Sequence, residues 1–85
     1  MSDFVVSVRI EVFQYLATLK KAERERIIRW IDALPGKPFD LGDYSERDAA
    51  DRDVQVKIVG RHALSYWHDG PVNEIKVVKI QLAGS

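Results

Sequence analysis

Eighty-five residues allow one small domain with a modest core, and 46% apolar with 31% charged residues is the balance of a folded chain, not a disordered one. The chain has no cysteine, which excludes a disulfide framework and a thiolate metal site, and no apolar run approaches the ~18 residues of a membrane-spanning helix. Formal net charge is zero, yet residues 40–53 hold six acids against two arginines, a balance of −4 that leaves +4 on the remainder.

The N-terminal residues lack the basic-then-apolar order of a secretory signal, which gives the expectation of a cytoplasmic protein with no membrane contact. Phe4 to Ile10 reads FVVSVRI, short, apolar and β-branched. It predicts a first strand over roughly Phe4 to Val8. From about Glu11 to Leu19 the apolar period lengthens: Val12 or Phe13, then Leu16, then Leu19. That spacing predicts a short amphipathic helix, with Lys20 and Lys21 marking its end, where cations complement the negative pole. A second helix is expected from about Ala22 to Leu34. Its stripe is Ile27, Ile31 and Leu34, widened by Ile28 and Trp30. Pro35-Gly36 stops it, and the two helices make an antiparallel hairpin. Arg24, Arg26 and Arg29 read as a solvated face.

Lys37 to Asp53 has no periodicity and reads as a long loop. Phe39, Leu41 and Tyr44 are its candidate anchors. The charged run SERDAADRD that follows reads as solvated, and as a candidate shield for a basic surface. Gly36, Gly42, Gly60, Gly70 and Gly84 are scattered as turn glycines are.

Val54 to Leu82 organises the rest. Val54, Val56 and Ile58 alternate with Gln55 and Lys57, the period of a half-buried strand. Gly60-Arg61 suits a two-residue type II′ turn, and Asp69-Gly70-Pro71 is a longer breaker. A three-stranded antiparallel meander follows. Val77 and Val78 are adjacent and apolar, as in a central strand contacted on both faces. The order strand, helix, helix, loop and three strands predicts an α+β fold. A two-helix hairpin packs on one face of a mostly antiparallel four-stranded sheet, as a single domain over residues 1–85.

The chemistry-bearing residues are few. The imidazoles are His62 and His68, without thiols or metal-ligand spacing, so no metal and no cofactor are expected. No phosphate-cradling glycine loop or nucleophile elbow is present. What remains is a basic and aromatic set: Lys57, Arg61, His62, Tyr66, Trp67, His68, Lys76 and Lys79. Metal-free RNA cleavage needs a base, an acid and cations at phosphorus, which Lys, Arg, His and Tyr on a sheet can supply. A structural use competes for each: Trp67 and Tyr66 also suit a core or its rim. Lys76 and Lys79 have opposite parity, so they share a face only across a bulge.

With the meander in hand, the chain resembles the RelE/ParE superfamily of bacterial type II toxin–antitoxin toxins, in its small RelE-like subgroup. The residues that carry this are Gln55 to Arg61, Leu64 to Asp69 and Glu74 to Val78, with Pro38-Phe39, Gly42 to Tyr44 and Glu46. The resemblance implies a cognate antitoxin that wraps and silences the toxin, in a hetero-oligomer or with a homodimer. RelE-type members cut mRNA on the ribosome without a metal, using sheet lysines and arginines. Lys57 falls on the strand that carries such a lysine, whereas Ala63 stands near where an arginine belongs. In this expectation Lys57, Arg61, His62 and Tyr66 are the catalytic set, and Lys57, Arg61, Trp67, Lys76 and Lys79 contact RNA. The alternative implied is a non-catalytic binding protein, either a ParE-like inhibitor of DNA gyrase or an inactive homologue.

Overall fold

The computed structural model describes residues 4–37 and 41–84. In chain order these form β1 (Val5–Val8), α1 (Ile10–Leu16), α2 (Lys21–Ala33), a 3-10 turn (Leu34–Gly36), β2 (Tyr44–Arg47), β3 (Asp53–Val59), β4 (His62–Asp69), a second 3-10 turn (Gly70–Val72) and β5 (Glu74–Leu82). One sheet runs β1-β5-β4-β3-β2. β1 pairs parallel to β5, and the other neighbours pair antiparallel. The architecture is α+β with a helical hairpin on one sheet face, as the patterning predicts.

The helical stripes form as their spacing requires. Val12 and Leu16 of α1 and Ile27 and Ile31 of α2 are buried, with Leu34 one turn further on. They meet Val59, Leu64, Tyr66, Ile75 and Val77 of the sheet in one cluster. Each such buried aliphatic side chain stabilises by roughly 1.5–3 kcal/mol. Phe13 stays exposed, so Val12 is the inward residue of its pair. Lys20 and Lys21 do not close α1, which ends at Leu16 with no basic residue in its last turn. They open α2 instead, as its N-cap and first residue, because Leu19 packs against the core and the chain turns there.

Two further expectations are corrected. The sheet has five strands, not four, because Tyr44–Arg47, inside the stretch that reads as a loop, pairs antiparallel with β3 from Val56 back to Asp53. All four residues of β2 are exposed. An edge strand with nothing buried carries no hydrophobic alternation to betray it. Leu41 and Tyr44 are exposed, so neither side chain is buried in the core; Phe39 lies outside the described residues.

The β3–β4 turn follows the sequence. Val59 pairs with His62 across a two-residue loop, and of that pair Gly60 alone has positive φ, at 63°. The break at Val77-Val78 has a different origin from burial on both faces. Tyr66 pairs with Val77 and Ser65 with Lys79, so Val78 is an extra residue, a β-bulge. The bulge resets the alternation. Ile75 and Val77 face the helices before it, and Ile80 packs against the same core after it.

Register and alternation assign the two sheet faces. Lys57 pairs with the fully buried Leu64, and Gln55 with Tyr66, so Gln55, Lys57 and Val59 look toward the helices. Val54, Val56 and Ile58 look away from them, and Ala63, Ser65 and Trp67 share that second face.

Candidate nucleic-acid interface

The structure divides the predicted residues between opposite faces. On the helix face, Lys57 lies beside Trp30, Ala33, Leu34 and Lys37. Its ammonium is 3.5 Å from Asp43 Oδ1. Asp43 serves mainly as a clamp: its Oδ2 accepts the backbone N–H of Ile58 at 2.7 Å. That bond and the Lys57 charge hold its carboxyl below the usual range. His62 is fully buried, its ring edge-on to Tyr15 at 5.5 Å. Tyr66 is buried edge-on to Trp30 at 5.3 Å. Neither ring is presented to a polymer at the surface.

Arg61 lies at the β3–β4 turn, and its Nε donates to Glu23 Oε2 at 2.8 Å. The pairing lowers the carboxyl of Glu23 and raises the guanidinium of Arg61. It ties the turn to the start of α2. His62 Nδ1 is 3.5 Å from the same carboxylate oxygen, too far to bond, and neither ring nitrogen has a hydrogen-bond partner among the described residues.

The second group gathers on the face away from the helices, open only in that sense, since Val54, Val56, Ala63 and Ser65 on it are themselves buried. Trp67 pairs across strands with Lys76, and the Lys76 ammonium sits 5.1 Å from the ring centroid. Lys76 also meets Asp69 at 3.1 Å and Glu74 at 3.9 Å. The bulge at Val78 brings Lys79 to the same face as Lys76, which ideal parity forbids. Two adjoining clefts result. One, of about 300 Å³, is lined by Ser7, Arg9, Arg52, Trp67 and Lys76 among others. The other, of about 310 Å³, is lined by Arg9, Asp48, Ala50, Arg52 and Lys79 among others.

Arg9 and Arg52 stand outside the basic and aromatic set that the sequence predicts. Arg9 follows Val5 and Ser7 at strand parity, and Ser7 pairs with Lys76, so alternation carries a signal for it. Arg52 has none, because it falls in a charged run without periodicity. It reaches the site from the β2–β3 loop, where Asp48 holds it. Asp48 Oδ2 accepts Arg52 Nε at 2.9 Å, and Oδ1 accepts the backbone N–H of Arg52 and of Ala50, each at 2.9 Å. These bonds, led by the backbone N–H of Arg52, push the carboxyl of Asp48 down. The acidic stretch therefore does border the basic face, but a cation is what it lays on Trp67.

Four cations and one indole on a sheet face can bind a polyanion and stack a planar group. Among the described residues no three His, Asp or Glu side chains converge as metal ligands, and no helix is long and apolar enough to cross a membrane.

Comparison with known proteins gives no matching family model and no match among curated proteins. A chain in the crystal structure of the archaeal RelE–RelB complex from Pyrococcus horikoshii OT3 superposes with a TM-score of 0.81 at 22% identity. The match covers 99% of this chain and 98% of that one. The fold is therefore the RelE fold over the whole described chain.

Proposed function

We propose that this chain is the toxin of a toxin–antitoxin pair, silenced by an antitoxin protein and acting on translation through RNA. The carrying observation is the end-to-end likeness to a chain of a RelE–RelB complex. The basic and aromatic open face, where Trp67, Lys76 and Lys79 join Arg9 and Arg52, is the RNA-contacting surface in this reading.

Ribosome-dependent mRNA cleavage is its finer form. The cations of the open face are suited to neutralise phosphate. The proton-transfer candidates His62 and Tyr66 are buried under the helices, and Lys57 looks the same way. The arrangement thus favours holding RNA over moving its protons. A protein target such as DNA gyrase is the competing mode, and it needs no base or acid.

The test is controlled expression in a bacterium, with growth scored and mRNA ends mapped, for the parent and for R9E/K79E. Arrest that the double variant relieves supports the RNA face. New cleavage ends in translated messages add catalysis; their absence leaves binding alone. Arrest unchanged by the charge reversal overturns the RNA face. Loss of DNA supercoiling in that case moves the target to gyrase.

A further inference from the structure

Trp67 is already covered in the free chain. The Arg52 guanidinium carbon lies 4.2 Å from the ring centroid, closer than the Lys76 ammonium. The β2–β3 loop keeps it there. Besides the Asp48 bonds, Arg47 Nη1 donates to the backbone oxygen and to Oδ1 of Asp51, each at 3.1 Å. Asp51 itself takes a left-handed backbone, with φ 60°. The loop is a self-bonded clasp whose outward product is one cation on one aromatic ring.

Arg9 and Lys79 are placed differently. Neither has an ion-pair partner among the described residues, and both line the clefts that share Arg52. Two uncommitted cations thus flank an aromatic platform occupied by a third.

We propose that Trp67 is the stacking platform for one unpaired nucleobase, and that Arg52 is its placeholder. Binding moves Arg52 from the ring to a neighbouring phosphate, while Arg9 and Lys79 take phosphates on either side. This deepens the RNA reading above and rests on it. A base and a guanidinium compete for the same ring area, and base–aromatic stacking is the stronger of the two contacts at an exposed site. The displaced guanidinium does not lose its use, because its planar fork bonds a phosphate well. The ligand is single-stranded, since a duplex keeps its base faces stacked on one another and leaves none free to lie on an indole.

The test compares a short single-stranded RNA with an abasic oligomer of equal length and charge, at low salt. Anisotropy of the labelled oligomers reads affinity with the unmodified chain. Fluorescence of W30F, in which Trp67 is the remaining tryptophan of two, reads stacking. The RNA is expected to bind about tenfold tighter than the abasic oligomer and to quench Trp67. D48N keeps the Oδ1 acceptor but frees Arg52, and is expected to tighten RNA binding by about threefold. Equal affinity for both oligomers without quenching overturns the platform and leaves the RNA reading standing. Binding of neither overturns both. Weaker binding by D48N overturns the placeholder role, because Asp48 would then order the site and not restrain it.

Discussion

Gly42 marks where two backbones are pressed together, and replacing it with alanine measures that pressure. A Cβ at Gly42 would stand 2.4 Å from the Val56 carbonyl oxygen, 2.8 Å from its carbon and 2.9 Å from its nitrogen. A carbon–oxygen contact relaxes at about 3.3 Å, so the segment must withdraw by about 0.9 Å. The Asp43 N–H now bonds Val56 O at 2.8 Å, and the Gly42 N–H bonds Gln55 Oε1 at 3.0 Å. Both would stretch past the ~3.2 Å limit of a good bond. The Asp43 clamp on the Ile58 N–H moves with them. At about 1 kcal/mol net for each bond, Gly42→Ala costs about 2 kcal/mol. In a domain of this size that lowers Tm by about 10 °C, read by circular dichroism, with a matching fall in the urea midpoint. Faster hydrogen exchange at Ile58 would locate the damage. A Tm within about 2 °C of the parent would refute the claim that this segment lies on β3 with no room for a methyl group.

Three other outcomes are expected. Leu64→Ala removes a fully buried side chain from the centre of the cluster, and should cost about 2–5 kcal/mol in urea unfolding. Lys57→Ala should leave RNA affinity in a binding titration within about twofold of the parent, because Lys57 looks toward the helices, whereas R9E/K79E should weaken it by at least tenfold and flatten its salt dependence. Glu23, Asp43 and Asp48 all have carboxyls held below their ordinary values. Their contribution is therefore full above the ordinary carboxylate range and is lost as pH falls through the lower folded values. Thermal melts across acid pH should show that decline, with a shallower slope in D43N and a smaller effect at high salt, since all three groups reach solvent.

How much of this is legible in the sequence follows from what each residue buries. Ile27, Ile31 and Leu34 announce α2 because one face of a helix must be apolar, and Gly60 announces its turn because φ there is positive. β2 is silent because none of its residues is buried. The alternation Val54, Val56, Ile58 announces a strand correctly, yet does not say which face the helices cover. They cover the other one, where Lys57 and Gln55 lie beside Val59 and only Val59 joins the core. The face that Lys57 takes therefore turns on the one quantity that a period of two leaves open, its phase relative to the rest of the fold. Gly42 reads as one more turn glycine because close approach of distant backbone has no local signature. Arg52 is hidden for a related reason: its position is fixed by Asp48 and by the sheet, not by any neighbour pattern.

The bulge is where fold and site meet, and deletion can isolate it. Removing one residue from a regular strand inverts every side chain on one side of the cut. Deleting Lys76 would turn either Ile75 or Val77, both fully buried, out to solvent, and should unfold the domain. Deleting Val78 should not. Val78 has no cross-strand partner, so its loss joins the Tyr66–Val77 pair directly to the Ser65–Lys79 pair in regular register. Ile80 keeps its place in the core, Lys76 and Lys79 stay on one face, and Arg9 keeps its backbone bond to Val77 O. What changes is local twist, which the bulge increases, and with it the angle at which Lys79 faces Arg52. The deletion should therefore shift Tm by no more than about 5 °C while weakening RNA binding. Collapse of the fold on deleting Val78 would mean that Val78 is structurally required, and that the two lysines share a face for a reason other than one extra residue.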